Sequence, residues 1–435
     1  MKNKVLVAAW LSLWFLLVYN GCNYITSLRK DVGTCAFDWE LSIPFVPILI
    51  VPYWSIDFMF VVAPFLCTSA WQLSQHAKRI TLGIGVAGIC FLCFPLTLVF
   101  QRPVVEGILG PLFSSLDNFN NFYNCAPSLH IVLRTCLWAI YGPLLFGWKR
   151  QLLAFWYFLI ALSTLLCWQH HVIDVITGQL LGLLCLHLFP DQPRVRPTVD
   201  RGRSLNARAD VALRYGLASL FLFGLTAWGW PSSVLLLWPA LALALVAIAY
   251  AGAGPGFLGK GDPWSAWLLA PYRWGAALTA RFFTSGQAPY AEFAPGLWLG
   301  RRLDAHELQA LQCPAVLDLT AEYPATPGNH TYLNIPILDL TAPSPEQLAQ
   351  AVDFLQQHPR CYVHCSLGLG RSVAVAIAYL MSQGQSYEQA LQHMTQVRPG
   401  FRLIEASRAV LKNLVLKGNQ SKFTNPESGR GMRQS

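Results

Sequence analysis

Tyr362-Val-His-Cys365-Ser-Leu-Gly-Leu-Gly-Arg371-Ser372-Val-Ala-Val-Ala-Ile-Ala-Tyr-Leu380 decides the fold of the C-terminal part of the chain. Tyr362-Val363-His364 reads as a buried strand, and the run from Val373 reads as a helix. The loop between them therefore sits at a helix N-terminus, where unpaired backbone N–H groups and the positive end of the dipole favour an anion. The same field stabilises a thiolate, so Cys365 is a candidate nucleophile. Arg371, six positions later, offers a planar fork for two phosphate oxygens. Ser366, Leu367, Gly368, Leu369, Gly370 and Ser372 complete a phosphate cradle, and the chemistry indicated is cysteine-dependent phosphoryl transfer. None of Ser366, Leu367, Leu369 and Gly370 is basic.

Working outward, residues 286–417 alternate strand and helix. Leu297-Trp-Leu-Gly, Ala315-Val-Leu-Asp-Leu and Tyr332-Leu-Asn-Ile-Pro-Ile read as strands. Helices are expected over 305–311, 344–358, 387–397 and 404–415, the second opened by the capping box Ser344-Pro345-Glu346-Gln347. Such alternation predicts an α/β sandwich around a largely parallel sheet.

The strand, His364-Cys365, five residues, Arg371-Ser372 and helix resemble the protein tyrosine phosphatase superfamily. Leu297-Trp-Leu-Gly, Val316-Leu-Asp-Leu-Thr-Ala-Glu, Tyr332–Asp339 and Val397-Arg398-Pro399 narrow the likeness to its dual-specificity branch. The resemblance implies a cysteinyl-phosphate intermediate on Cys365, with Arg371 and the loop amides holding phosphate oxygens. It implies that Asp339 is the acid, then the base; that Ser372 hydrogen-bonds the thiolate; and that His364 orients the cysteine. Asp318 is the alternative acid, although it reads as mid-strand. Arg398 is expected to brace the loop.

The remainder of the chain has a different character. The whole is 54% hydrophobic and 12% charged, against about 25% charged in soluble domains. Eight apolar runs are long enough to span a bilayer: roughly 5–20, 44–66, 80–100, 131–147, 152–169, 173–190, 212–230 and 232–252. The first follows Lys2 and Lys4 and lacks a small-x-small cleavage site, so it is expected to be retained. Lys2/Lys4, Lys78/Arg79, Lys149/Arg150 and Arg194, Arg196, Arg201, Arg203 and Arg208 mark one side. Arg29, Lys30 and Arg102, offset by Asp31, Asp38, Glu40 and Glu106, mark the other. The positive-inside rule then places both termini in the cytoplasm. The net charge of +9 is accounted for by inside loops and anionic lipid, and no nucleic-acid partner is expected. Most of the twelve cysteines read as small apolar residues, with a disulfide open to Cys22 and Cys35.

Residues 253–285 form a linker in which Trp264, Trp267, Leu268, Leu269, Tyr272, Trp274, Leu278, Phe282 and Phe283 suit either a membrane surface or packing on the soluble domain. Pro271 is expected to divide it into two helices.

Two shorter motifs lie within the spans: Cys125-Ala-Pro127-Ser128-Leu129-His130 and Gln169-His170-His171-Val-Ile-Asp174-Val-Ile-Thr-Gly178. The forty residues between His130 and His170 allow one span in and one back, so both reach one membrane face, the outer one by the charge rule. His170 and Asp174 share a helix face at i and i+4, and the carboxylate can fix the imidazole tautomer. His171 points away. These motifs are similar to the type-2 phosphatidic acid phosphatase superfamily of six-span enzymes. The resemblance implies His170 as nucleophile, Asp174 as its partner, His130 as acid, and Ser128 and Arg102 as phosphate ligands. Pro95 and Thr164 stand where that family carries lysine and arginine, with Arg134 a substitute cation. Ser163-Thr164 with Gln169-His170-His171 also resembles sphingolipid head-group transferases, and a non-catalytic anchor or sensor is a third reading.

The expected fold is thus multi-domain: an all-α polytopic membrane region, six spans (1–190) plus a basic loop and two more (191–252), the linker (253–285), an α/β phosphatase domain (286–417) and a polar, disordered tail (418–435). The setting expected is a bacterial-type inner membrane, with lipid phosphates or phosphoproteins as partners. Neither mechanism needs a cofactor, and no clustered metal-ligand set is evident. The sequence does not specify an oligomeric state.

Overall fold

The apolar runs of the first half become helices in the computed structural model, which describes residues 1–119, 123–193 and 205–421. They are α1 (Lys2–Ser27), α2 (Ile50–Leu66), α3 (Ala70–Cys93), α4 (Gly110–Phe119), α5 (Leu129–Tyr141), α6 (Gly147–Leu166), α7 (Val172–Leu188), α8 (Leu205–Trp228) and α9 (Leu237–Ile248). Among the described residues, five segments are long and apolar enough to cross a membrane by length and composition: Lys2–Ser27, Pro47–Leu66, Ala70–Cys93, Arg208–Trp228 and Val234–Ala253. The other three expected runs form α5 and α7, of 13 and 17 residues, and α6, whose first turn carries Lys149 and Arg150.

Two compact units emerge from the contacts. One comprises Met1–Arg194, Leu220–Leu241 and Pro263–Leu268; the other comprises Val195–Ser219, Ala242–Asp262 and Leu269–Ser435. In the first unit, Leu11, Ile56, Phe60, Ile84, Val132 and Ile160 build a shared core from α1, α2, α3, α5 and α6. The start of α5 lies directly against α7, because a Cβ on Gly178 would stand 2.6 Å from the Ser128 carbonyl oxygen.

Several sequence expectations change here. Lys78 and Arg79 lie inside α3 rather than in a loop, since the helix begins early, with Ser69 capping it through Gln72 N–H. Arg79 is buried and meets Asp191 at 2.9 Å and the Phe189 carbonyl at 2.7 Å. Glu40, expected as an outer-loop charge, is buried against His171. Cys22 and Cys35 are both free: Cys22 bonds to the Gly88 carbonyl and Cys35 faces Asp174. Arg194, Arg196, Arg201 and Arg203, and most of the polar tail, lie outside the described residues.

The linker divides at Leu269 into α10 (Pro263–Leu268) and α11 (Ala270–Thr284), with Pro271 in the first turn of the latter. Leu268, Leu269 and Tyr272 are buried, whereas Trp267, Trp274, Leu278, Phe282 and Phe283 are exposed.

The second unit contains a five-stranded sheet of β1 (Tyr290–Ala294), β2 (Leu297–Gly300), β3 (Ala315–Thr320), β4 (Thr331–Ile337) and β5 (Cys361–His364). Its order is β1-β2-β5-β3-β4; β1 is antiparallel to β2 and the other pairs are parallel. Strand periodicity separates two faces. Leu299, Leu317 and Val363 pack under α13 (Pro345–Gln357), α14 (Arg371–Ser382), α15 (Tyr387–Val397) and α16 (Glu405–Ser421). Trp298, Val316 and Tyr362 pack under α12 (Ala305–Leu311). The capping box at α13 forms as expected: Gln347 N–H donates to Ser344 Oγ at 3.2 Å, and Ser344 N–H to Gln347 Oε1 at 2.9 Å.

Candidate active site

β5 runs through the middle of the sheet and ends at His364, so Cys365 emerges at the C-terminal edge, immediately before α14. The thiol is buried, receives the Gly368 N–H at 3.2 Å and lies 3.5 Å from Ser372 Oγ. Burial alone would raise its pKa. The Arg371 charge and the bonds at Ser372 outweigh that and hold the thiol below its ordinary value.

The cradle is braced from outside. The carbonyls of Ser366, Gly368 and Leu369 accept from Arg302 N–H (3.2 Å), Arg398 Nε (3.4 Å) and Arg402 N–H (2.7 Å). Peptide planarity sends the N–H groups of Leu367, Leu369 and Gly370 the opposite way, toward the cradle interior. Gly368 has a φ of +71°, and a Cβ there would stand 2.3 Å from the Gly300 carbonyl carbon, so glycine alone fits. Arg398 also donates to the Ala288 carbonyl at 2.5 Å.

Arg371 is held by a group that sequence reasoning missed. Glu322, just beyond β3, accepts from both terminal nitrogens at 3.1 and 2.8 Å. Asp339 lies 3.1 Å from the same guanidinium, with its side chain 45% exposed. Arg371 Nε is buried and makes no hydrogen bond within the protein, which leaves it for a phosphate oxygen. The only signal for Glu322 was its place at the end of the Val316–Glu322 segment.

Asp318, the alternative acid, is sealed off. It accepts from Tyr332 OH (2.7 Å), Thr320 N–H (2.7 Å) and Lys260 Nζ (2.5 Å), and lies 3.8 Å from His364 Nε2. Burial pushes its carboxyl up, but His364 and Lys260 more than reverse this and bring it to about 2. A permanently ionised, enclosed carboxylate cannot deliver a proton to substrate. His364 also faces the Cys365 carbonyl at 3.4 Å. Lys260 belongs to the linker, and nothing in its sequence context pointed to this partner.

The helical unit gathers the other motif residues. The rings of His130 and His170 are 6.2 Å apart, and His170 Nδ1 lies 3.3 Å from Asp174 Oδ2. Ser128 N–H donates to the Asp174 carbonyl at 2.9 Å, while Ser128 Oγ and His130 Nε2 are buried without a protein partner. Tyr53 stacks on His130 at 4.0 Å, and Arg102 is within electrostatic range of Tyr53. His171 Nδ1 meets Glu40 at 3.2 Å, away from this group. Arg134 is committed elsewhere, to the Tyr157 carbonyl at 2.6 Å and Gln179 at 3.2 Å, which weakens its part as a substitute cation. Among the described residues, no cluster of three His, Cys, Asp or Glu could hold a metal ion.

Comparisons with known proteins bear on the cysteine site. Residues 297–413 match the family model of the dual specificity phosphatase catalytic domain. Protein phosphatase Slingshot homolog 3 of Mus musculus is 33% identical over 121 residues, 24% of this chain and 18% of that protein. Phosphatidylglycerophosphate phosphatase PTPMT2 of Arabidopsis thaliana is 30% identical over 124 residues, 26% of this chain and 54% of that one. A solved structure, Tk-PTP in the active form, is 30% identical with a TM-score of 0.28, covering 29% of this chain and 95% of that chain. The chain thus spans less than a fifth of the mouse relative and about half of the plant one.

Proposed function

Taking residues 297–413 as a dual specificity phosphatase catalytic domain, we propose that the protein is a membrane-bound phosphoric monoester hydrolase working through Cys365. The observation that carries this is the lowered thiol inside a braced loop, with Gly368 N–H, Ser372 Oγ and Arg371 converging on it. Cys365 Sγ attacks phosphorus, the bond to the leaving oxygen breaks, and Asp339 gives that oxygen its proton. Asp339 then takes a proton from water, the water oxygen attacks, and the S–P bond breaks to return thiolate and inorganic phosphate. Arg371 Nε and the inward amides hold the remaining oxygens throughout. The names of the relatives leave both phosphoproteins and lipid phosphates as the substrate class.

The test is hydrolysis of para-nitrophenyl phosphate by the full-length protein in detergent, with a phosphate-release assay. Wild-type turnover that Cys365→Ser abolishes supports the reading. Equal turnover by both proteins refutes it.

A second reading concerns the helical unit: a histidine-dependent lipid phosphatase or head-group transferase on the outer face of the membrane, with both termini in the cytoplasm. His130, His170 and Asp174 gathered beside two unpartnered buried polar atoms favour it. His170 would form the phosphohistidine, Asp174 would steady its ring, His130 would protonate the leaving group, and Ser128 with Arg102 would bind phosphate. Phosphate release from lipid monophosphates by Cys365→Ser protein, lost on His170→Ala, is the expected result. Label transfer to an acceptor alcohol would mark the transferase, and inactivity in both assays would leave an anchor.

A further inference from the structure

α11 lies outside the matched phosphatase domain, residues 297–413, yet it lines a cavity that reaches Ser366 of the cradle. A cavity of about 780 Å³ runs between Ala277, Arg281 and Thr284 of α11 and Arg301, Arg302 and Ser366. Ser366 belongs to the cradle, so this cavity opens onto the phosphate-binding loop. The neighbouring stripe of the same helix, Trp274, Leu278 and Phe282 at four-residue spacing, is more than half exposed on each residue, as is Phe283.

The opposite face of α11 is tied into the unit. Tyr272 is buried and meets Tyr215 edge-on at 5.9 Å, and Tyr215 meets Tyr250 at 5.7 Å. Tyr250 OH donates to the Asp339 carbonyl at 3.0 Å. Tyr215 and Tyr250 belong to two segments apolar enough to cross a membrane, Arg208–Trp228 and Val234–Ala253, with Tyr250 near the end of its own. The acid of the cysteine site is therefore pinned by the same tyrosine cluster that anchors α11. Leu340, next to Asp339, is 54% exposed at a φ of +55° and adds apolar surface beside the acid.

We infer that α11 lies in the headgroup layer with its 274/278/282 stripe among acyl chains, and that the cysteine site takes a phosphomonoester carried by a bilayer lipid. This rests on the cysteine-phosphatase reading above. Left in water, a stripe of this size beside an active site is an exposed apolar patch; at a bilayer it becomes buried area. Arg281 and Arg302 line the cavity and supply positive charge that the cradle residues lack; Asp304 and Glu307 lie on the same wall, and Glu307 is paired with Arg301 at 2.6 Å. The lipid keeps its chains along the stripe and brings its headgroup through the arginine-lined cavity to Cys365.

The experiment uses full-length His170→Ala protein in phosphatidylcholine nanodiscs, which silences the helical site. Phosphatidate and phosphatidylglycerophosphate in the disc are compared with a phosphotyrosine peptide and para-nitrophenyl phosphate in solution. At least one lipid is expected to be hydrolysed with a kcat/KM ten-fold or more above the peptide, and Cys365→Ser is expected to remove that activity. Leu278→Glu with Phe282→Glu is expected to lower the ratio of lipid to aryl phosphate hydrolysis ten-fold or more. Trp274→Gln gives a milder change in the same direction, and the aryl rate reports that each variant has folded. A preference for the peptide, or an unchanged ratio in both variants, overturns the proposal while leaving the cysteine reading intact. Failure on the aryl ester as well removes both.

Discussion

Replacing Lys260 with methionine tests whether the linker holds up the floor of the cysteine site. The lysine side chain is 14% exposed and its partner Asp318 only 1%. Methionine keeps most of the packing volume but removes the charge. Taking away one partner of a buried pair costs about 3 to 5 kcal/mol, because the other charge is left without its counterion. Asp318 would keep its bonds from Tyr332 and Thr320, which favours the lower end of that range. The carboxyl itself points the same way: held at about 2 rather than 3.8 by His364 first and Lys260 with it, it contributes roughly 2 kcal/mol for the group as a whole. That contribution is fully present above the unfolded value near pH 4 and is lost as pH falls toward 2. For a unit of this size, about 3 kcal/mol lowers the midpoint by roughly 6 to 12 °C. The assay is residual aryl phosphatase activity after stepwise heating of the full-length protein, with tryptophan fluorescence recorded in parallel. Adding Asp318→Asn to the lysine variant should restore more than half of the loss, since the stranded charge is gone. By fluorescence, wild type and Lys260→Met should converge as pH drops to about 2. A midpoint shift under about 2 °C, or a double variant no better than the single one, would refute the reasoning.

Three further outcomes are expected. Asp339→Asn should slow hydrolysis of an alkyl phosphate by about 100-fold and affect para-nitrophenyl phosphate less, because a good leaving group needs less protonation; equal slowing of both would show that the acid lies elsewhere. Gly368→Ala should reduce turnover about 100-fold with circular dichroism unchanged, since its Cβ would force the cradle out of register with Gly300. Alkylation of Cys365 by iodoacetamide should rise with pH through a midpoint below that of an ordinary thiol, and Arg371→Ala should move the midpoint upward.

Local chemistry was readable in the residues and distant chemistry was not. The strand–loop–helix around Cys365 is contiguous, and α12, α13 and α15 each open on a capping residue visible in the sequence, Asp304, Ser344 and Ser386. β1 was missed because Tyr290–Ala294 is a five-residue edge strand paired on one side only. Glu322 and Lys260 were out of reach for a different reason. Their places depend on the β3–β5 register, which sets Asp318 opposite His364, and on a turn after β3 that aims Glu322 back at Arg371. In the helical unit, counting residues between His130 and His170 was enough to anticipate their meeting. Glu40 stands 131 positions before His171, and no local pattern announces that bond. Hydropathy alone placed Lys78 and Arg79 outside a helix, because it could not see that Asp191 would neutralise a buried arginine.

Glu322 also gives the cysteine site an electrical temperament. Formally, one guanidinium faces two carboxylates, Glu322 and Asp339, and a thiolate. Within the cradle the guanidinium is thus already matched by acidic neighbours, and a phosphoester there is held chiefly by oriented N–H dipoles, with surplus positive charge left to Arg281 and Arg302 outside it. Once the S–P bond breaks, inorganic phosphate shares the cradle with the restored thiolate, and the two repel at close range. For the proposed cysteine phosphatase, that repulsion favours release of the product.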